Sequence, residues 1–80
     1  MKRVLTAHDI RAILSAIAEN GIACDVVSGY DNDAVLKMAW SREVDNALEI
    51  ALALVREVCP GINIRYVSGG VCKARIRIWY

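Results

Sequence analysis

Residues 41–80 laid beneath residues 1–40 without a gap agree at ten positions, and this duplication restricts the possible folds more than any other feature of the chain. Gly21-Ile22 falls on Gly61-Ile62, and Val27-Ser28-Gly29 falls on Val67-Ser68-Gly69. Val4, Ala7, Ile10, Leu14 and Ala34 fall on Val44, Ala47, Ile50, Leu54 and Ala74. The matches sit at glycines and apolar sites, the positions that set where a chain reverses and what it buries. Two copies are too few for a solenoid, which needs about three stacked repeats. The expectation is one pseudo-symmetric domain over residues 1–80, built from units 1–40 and 41–80.

Each unit reads helix, strand, strand. In the first, Thr6 and Asp9 have the spacing of a capping box, and Ile10, Ile13, Leu14 and Ile17 follow on one helical stripe. Asn20-Gly21 stops that helix, because glycine tolerates the left-handed conformation a C-terminal cap requires. In the second unit Ser41 is the expected N-cap, with Glu43 and Asp45 in the first turn. Val44, Ala47, Leu48, Ala51, Val55 and Val58 form its buried stripe, widened by Leu52 and Leu54, and Pro60-Gly61 ends it. The two helical stripes match better after a shift of one residue.

The strands alternate with period two. In the last, Cys72, Ala74, Ile76, Ile78 and Tyr80 point inward, and Lys73, Arg75, Arg77 and Trp79 outward. Ala34, Leu36, Met38 and Trp40 take the same inward positions, leaving Val35, Lys37 and Ala39 outside. Ile22, Cys24 and Val26 match Ile62, Ile64 and Tyr66. Residues 28–33 and Ser68-Gly69-Gly70 are expected to be the turns between strands.

Helix–strand–strand twice over packs naturally as two helices on one face of a four-stranded antiparallel sheet, an α+β two-layer sandwich. A right-handed crossover from strand 34–40 to strand 62–68 leaves room for one strand between them. The predicted order is therefore 22–28, 34–40, 74–80, 62–68. This order resembles a ferredoxin-like arrangement, circularly permuted so that its first strand lies at the end of the chain.

Composition narrows the function. Hydrophobic residues make up 56% and charged residues 24%, a balance that folds rather than stays disordered. The longest apolar run, Ile50 to Val55, is too short to span a bilayer, and Met1-Lys2-Arg3 leads into no signal-peptide apolar region. Cys24, Cys59 and Cys72 are odd in number and lack CxxC spacing, which fits reduced thiols in a cytoplasmic protein. They read as small buried hydrophobes, since zinc needs a fourth ligand and close pairs. His8, the one histidine, projects away from the apolar stripe, with no nucleophile or orienting acid at useful spacing. Asp31-Asn32-Asp33 has too few oxygen ligands for a calcium loop, and the Ser-Gly stretches join strand to strand instead of strand to helix as a phosphate loop does. Trp40 and Tyr80 end the two central strands, as core aromatics or as the lining of a small pocket. No enzyme activity, metal or cofactor is expected.

The remaining asset is a surface. The sheet's open face should carry Asp25, Lys37, Arg65, Lys73, Arg75 and Arg77 together with Trp79, Val27, Val35 and Val67, five bases against one acid in a chain of net charge +1. The outer faces of the helices are expected to hold most of the compensating acids, Asp9, Glu19, Glu43, Asp45, Glu49 and Glu57, so charge is segregated by face. Basic residues on exposed strands also serve solubility and keep edges unpaired. As a binding platform, Lys37, Arg65, Lys73, Arg75, Arg77 and Trp79 form the candidate site. Arginine and tryptophan suit a protein interface, and guanidinium forks with an indole suit phosphate contact and base stacking. A sheet that reads RNA wants aromatics on both central strands, and strand 34–40 offers none at its outward positions. The first expectation is a protein partner, in an inhibitor or adaptor role of the kind filled by small plain proteins of phages and mobile elements, including anti-defence proteins. Homodimer formation through the sheet is a related option. Nucleic-acid binding is the alternative, and small-ligand sensing a third.

Overall fold

The local signals at the start of the first unit set a helix with both ends defined. In the computed structural model, which describes residues 4–30 and 32–80, α1 covers Ala7–Glu19 with Thr6 as its N-cap. The Thr6 hydroxyl accepts from the Asp9 amide at 3.1 Å, and the Asp9 carboxylate accepts from the Thr6 amide at 3.1 Å. These two bonds satisfy donors that the first turn cannot pair internally. At the other end Gly21 adopts φ 77°, and the Ile22 amide reaches back to the Ile17 carbonyl. Ile22 is thereby turned into the core, where it is fully buried.

The remaining elements are β1 (Ala23–Tyr30), β2 (Asp33–Ala39), α2 (Ala47–Val58), β3 (Asn63–Gly70) and β4 (Lys73–Trp79). Apart from the last residue of the helices, every boundary in the second unit lies forty residues after its counterpart in the first. The sheet is antiparallel throughout, in the order β1-β2-β4-β3, which is the order expected from the repeat and the crossover rule. One core cluster joins the inward sheet residues Ala34, Leu36, Met38, Ala74, Ile76 and Ile78 to Ile13 and Ile17 of α1 and to Ala47, Ala51 and Val55 of α2. No polar or charged residue is buried among the described residues. The helices do not present equivalent faces. Ile13 and Ile17, the buried residues of α1, correspond in burial to Ala51 and Val55 of α2, two residues out of step with the boundaries.

Four expectations need correction. Ser41 is not the N-cap of the second helix. Residues 41–44 form a separate turn closed by the Val44 amide on the Ser41 carbonyl, and α2 begins after Asn46, which has φ 54° and makes no side-chain cap. Glu43 and Asp45 consequently lie in the connection and not in a first turn. Ser28-Gly29 and Ser68-Gly69-Gly70 are not turns, because β1 and β3 run through them, and β3 leaves a two-residue loop at 71–72. The alternation is also interrupted in both edge strands. Leu36 and Val35 pair with Val26 and Ser28, and Ile76 and Arg75 with Tyr66 and Ser68, so Val27 and Val67 are extra residues in matching bulges. A bulge bends its strand and moves the neighbouring side chains off the regular pleat. Val26, Val27, Tyr66 and Val67 are accordingly 40%, 46%, 56% and 51% exposed. Finally, Cys72 sits in the 71–72 loop with φ 57° instead of on an inward strand position.

Asn32 links the segment before α1 to the residue after β4. Asn32 accepts from the Leu5 amide at 3.0 Å and donates to the main-chain oxygen of Tyr80 at 2.8 Å. Trp40 and Tyr80 follow the ends of β2 and β4, half-buried against the core cluster. Met1-Lys2-Arg3 and Asp31 lie outside the described residues.

Candidate binding face of the sheet

Pairing register places the outward residues of the sheet in four rows. Reading across β1, β2, β4 and β3, the first row ends in Asp33, Trp79 and Asn63, and the second holds Ser28, Val35, Arg77 and Arg65. The third holds Asp25, Lys37, Arg75 and Ser68, and the fourth Ala23, Ala39, Lys73 and Gly70. All six expected site residues thus share one face. Lys37, Arg65, Lys73, Arg75 and Arg77 are exposed, and Trp79 is half-buried at one end.

Two of the cross-strand pairs set like charges opposite each other. Lys37 faces Arg75 across β2 and β4, and Arg77 faces Arg65 across β4 and β3. Directly opposed like charges destabilise a sheet. Their presence on the two central rows is not what solubility alone would select, because interspersed signs solubilise without that cost. Asp33, which the sequence places in a turn, begins β2 and faces outward. It accepts from Arg77 Nε at 2.9 Å, and Arg77 Nη2 approaches the same oxygen. Among the described residues the face therefore has two acids, Asp25 and Asp33, against five bases, an excess of three where the sequence suggested four. Among the described residues Arg77 alone of the five has an acid within ion-pair distance.

A hollow of about 380 Å³ opens beside the third and fourth rows, lined by Lys37, Met38, Ser68, Gly69, Lys73, Ala74 and Arg75. Sequence reasoning missed it because Gly69, which lines it, and Gly70 beside it carry no side chains to signal a site. A Cβ on Gly70 would stand 3.0 Å from Lys73 Cε, so the lysine stem lies against bare backbone there. On the opposite side of the strand a Cβ on Gly69 would strike the Tyr66 hydroxyl. The consecutive glycines in an otherwise β-prone segment were the available signal, since glycine within a strand marks a bulge or a close approach.

The other sequence candidates are dispersed. His8 is exposed on α1, Cys59 is buried behind α2, and Cys24 and Cys72 are half-buried at separate places. None of the three cysteines is in a disulfide. Burial pushes the Cys24 thiol up to about 11, with the neighbouring Asp25 carboxylate adding in the same direction. The unfolded thiol ionises near its ordinary value of 9.0, so between these limits the folded chain holds more protons than the unfolded one. Stability from this source is complete below pH 9 and is lost as pH rises toward 11. Urea denaturation from pH 8 to 11 should show a steeper alkaline decline for the wild type than for Cys24→Ala, and parallel curves would refute the assignment.

Comparison of the chain with models of protein families, with curated proteins and with solved structures finds no match.

Proposed function

We propose that this chain is a non-enzymatic binding module, of the inhibitor or adaptor type, that docks the open face of its sheet onto an acidic surface of a protein partner. The observation that carries this reading is the pair of opposed like-charge contacts, Lys37 with Arg75 and Arg65 with Arg77, kept at the centre of one face in a chain of net charge +1. An acidic partner relieves both repulsions at once, and charge complementarity of this kind directs encounter and orientation. Exposed Val27 and Val67 add apolar area beside the charges. The sheet order, with Leu5 and Tyr80 held beside each other by Asn32, supports a ferredoxin-like architecture opened at a permuted point. Three cysteines outside any disulfide fit a reducing, cytoplasmic setting.

One observation favours a nucleic acid instead. Lys73, Arg75 and Arg77 alternate along β4, about 6.6 Å apart at 3.3 Å per residue, a step comparable to that between phosphates of an extended strand. Against it, the middle of the face holds Val35, Lys37, Arg75 and Arg77 and no ring on which a base can stack.

Fluorescence anisotropy with a glutamate-rich peptide and an oligothymidylate of equal charge separates the two. The peptide should bind at low salt, weaken as salt screens the face, and lose about tenfold in affinity in Arg65→Ala/Arg77→Ala. Tighter binding of the oligonucleotide would replace the protein partner with a nucleic acid. Failure of both probes to bind would remove the docking reading altogether.

A further inference from the structure

We propose that the hollow between Lys37, Lys73 and Arg75 is a discrete site for a phosphomonoester, independent of whatever covers the rest of the face. Lys37, Lys73, Arg75 and Ser68 line it together with Met38, Gly69 and Ala74, and no acidic residue does among the described residues. Such a set suits a phosphoryl dianion better than a carboxylate. The phosphoryl group carries about −1.5 to −2 charge and three strong acceptor oxygens, enough to engage an ammonium, a second ammonium and a guanidinium fork together. Arg75 supplies the planar fork, and the two lysines act as point charges.

Register explains why the three meet. Lys37 and Arg75 are direct cross-strand partners, Lys73 stands two residues from Arg75 on the same side of β4, and Ser68 faces Arg75 from β3. The Lys73–Gly70 pair ends the β3–β4 hairpin, and the bare Gly70 lets the lysine stem lie down along the strand. Arg77 is held by Asp33 one row away and takes no part. The pseudo-symmetric position does not repeat these cations. There Lys37 is replaced by Arg77, Arg75 by Val35 and Lys73 by Asp33, so one of three cations remains and an acid sits beside it. At about 380 Å³ the hollow lies toward the lower end of small-molecule sites. It is larger than a bare phosphate needs, which points to a phosphoryl group carried on an organic body.

The test is an amide NMR titration of the whole chain at fixed ionic strength with four probes: inorganic phosphate, adenosine monophosphate, a capped phosphoserine peptide and dimethyl phosphate. Saturable shifts confined to residues 37–38, 68–70 and 73–75 are expected, with the monoesters binding about tenfold more tightly than the diester, the increment of one charge-assisted hydrogen bond. Preference for the nucleotide identifies a free metabolite as the source, and preference for the phosphoserine peptide identifies a phosphorylated partner. Lys73→Ala and Gly70→Ala should each weaken binding about tenfold, and Arg65→Ala should leave it unchanged. Equal affinity for monoester and diester, shifts spread over the whole face, or indifference to Lys73→Ala would overturn the proposal. Because Arg65 and Arg77 lie outside the hollow, failure here and failure of the acidic-peptide experiment are separate results.

Discussion

Ile76→Ala should destabilise the protein by about 3–5 kcal/mol, the upper part of the range for truncating a fully buried aliphatic side chain. Ile76 pairs with Leu36 at the centre of the sheet, and both are completely buried in the cluster that joins the two helices to the sheet. Removing it leaves a cavity bounded by two central strands whose backbones are fixed by hydrogen bonds on both sides, so collapse around the gap is restricted. An eighty-residue domain has a total stability of about 4–12 kcal/mol, and each kcal/mol lost lowers the melting temperature of a domain this size by about 4–8 °C. Urea denaturation should therefore show a much lower midpoint with an unchanged slope. Ile64→Ala, on edge strand β3 and half-buried, should cost well under half as much. Because Leu36 touches the same space, Leu36→Ala/Ile76→Ala should deviate from the sum of the single changes. A loss below 1 kcal/mol for Ile76→Ala would show that the helices do not hold this face closed.

Why this core was legible in the sequence, and the edge strands were not, is a matter of neighbours. On β2 and β4 every residue has a paired strand on each side and helices above, so alternation is enforced from Ala34 to Met38 and from Ala74 to Ile78. On β1 and β3 one side is free, and a single extra residue can be accommodated without breaking a second ladder. Val27 and Val67 carry no chemical mark of a bulge, since valine is a good strand residue, and the glycines after them imitate turn signals. The misplaced helix start had a remedy in the repeat itself. Thr6 caps α1, and its counterpart forty residues on is Asn46, not Ser41. The basic residues of the candidate site were legible because alternation in β4 fixes Lys73, Arg75 and Arg77 on one side. Asp33 was not, because an aspartate between Asn32 and Ala34 reads as turn chemistry until β2 is seen to begin with it.

Asn32→Ala should cost about 1–3 kcal/mol despite removing a single side chain from a loop. Both its bonds are long-range, one to the Leu5 amide and one to the main-chain oxygen of Tyr80, and each is worth about 0.5–1.5 kcal/mol. Between β2 and α2 the chain itself makes the connection through residues 40–46. Between β4 and α1 the Asn32 carboxamide links the two segments through Leu5 and Tyr80. Its two halves can be tested apart. Asn32→Asp keeps an acceptor for Leu5 but presents a carboxylate to the oxygen of Tyr80, so the C-terminal end of β4 should fray while Leu5 stays docked. Amide hydrogen exchange should show this as faster exchange at residues 78–80 with little change at Leu5, whereas Asn32→Ala should release both. Joining the ends of the chain by a short linker should restore most of the stability lost in Asn32→Ala, because the covalent connection makes the clasp redundant. If the linked Asn32→Ala protein remains as unstable as the open one, the clasp acts between β1 and β2 and not between Leu5 and Tyr80.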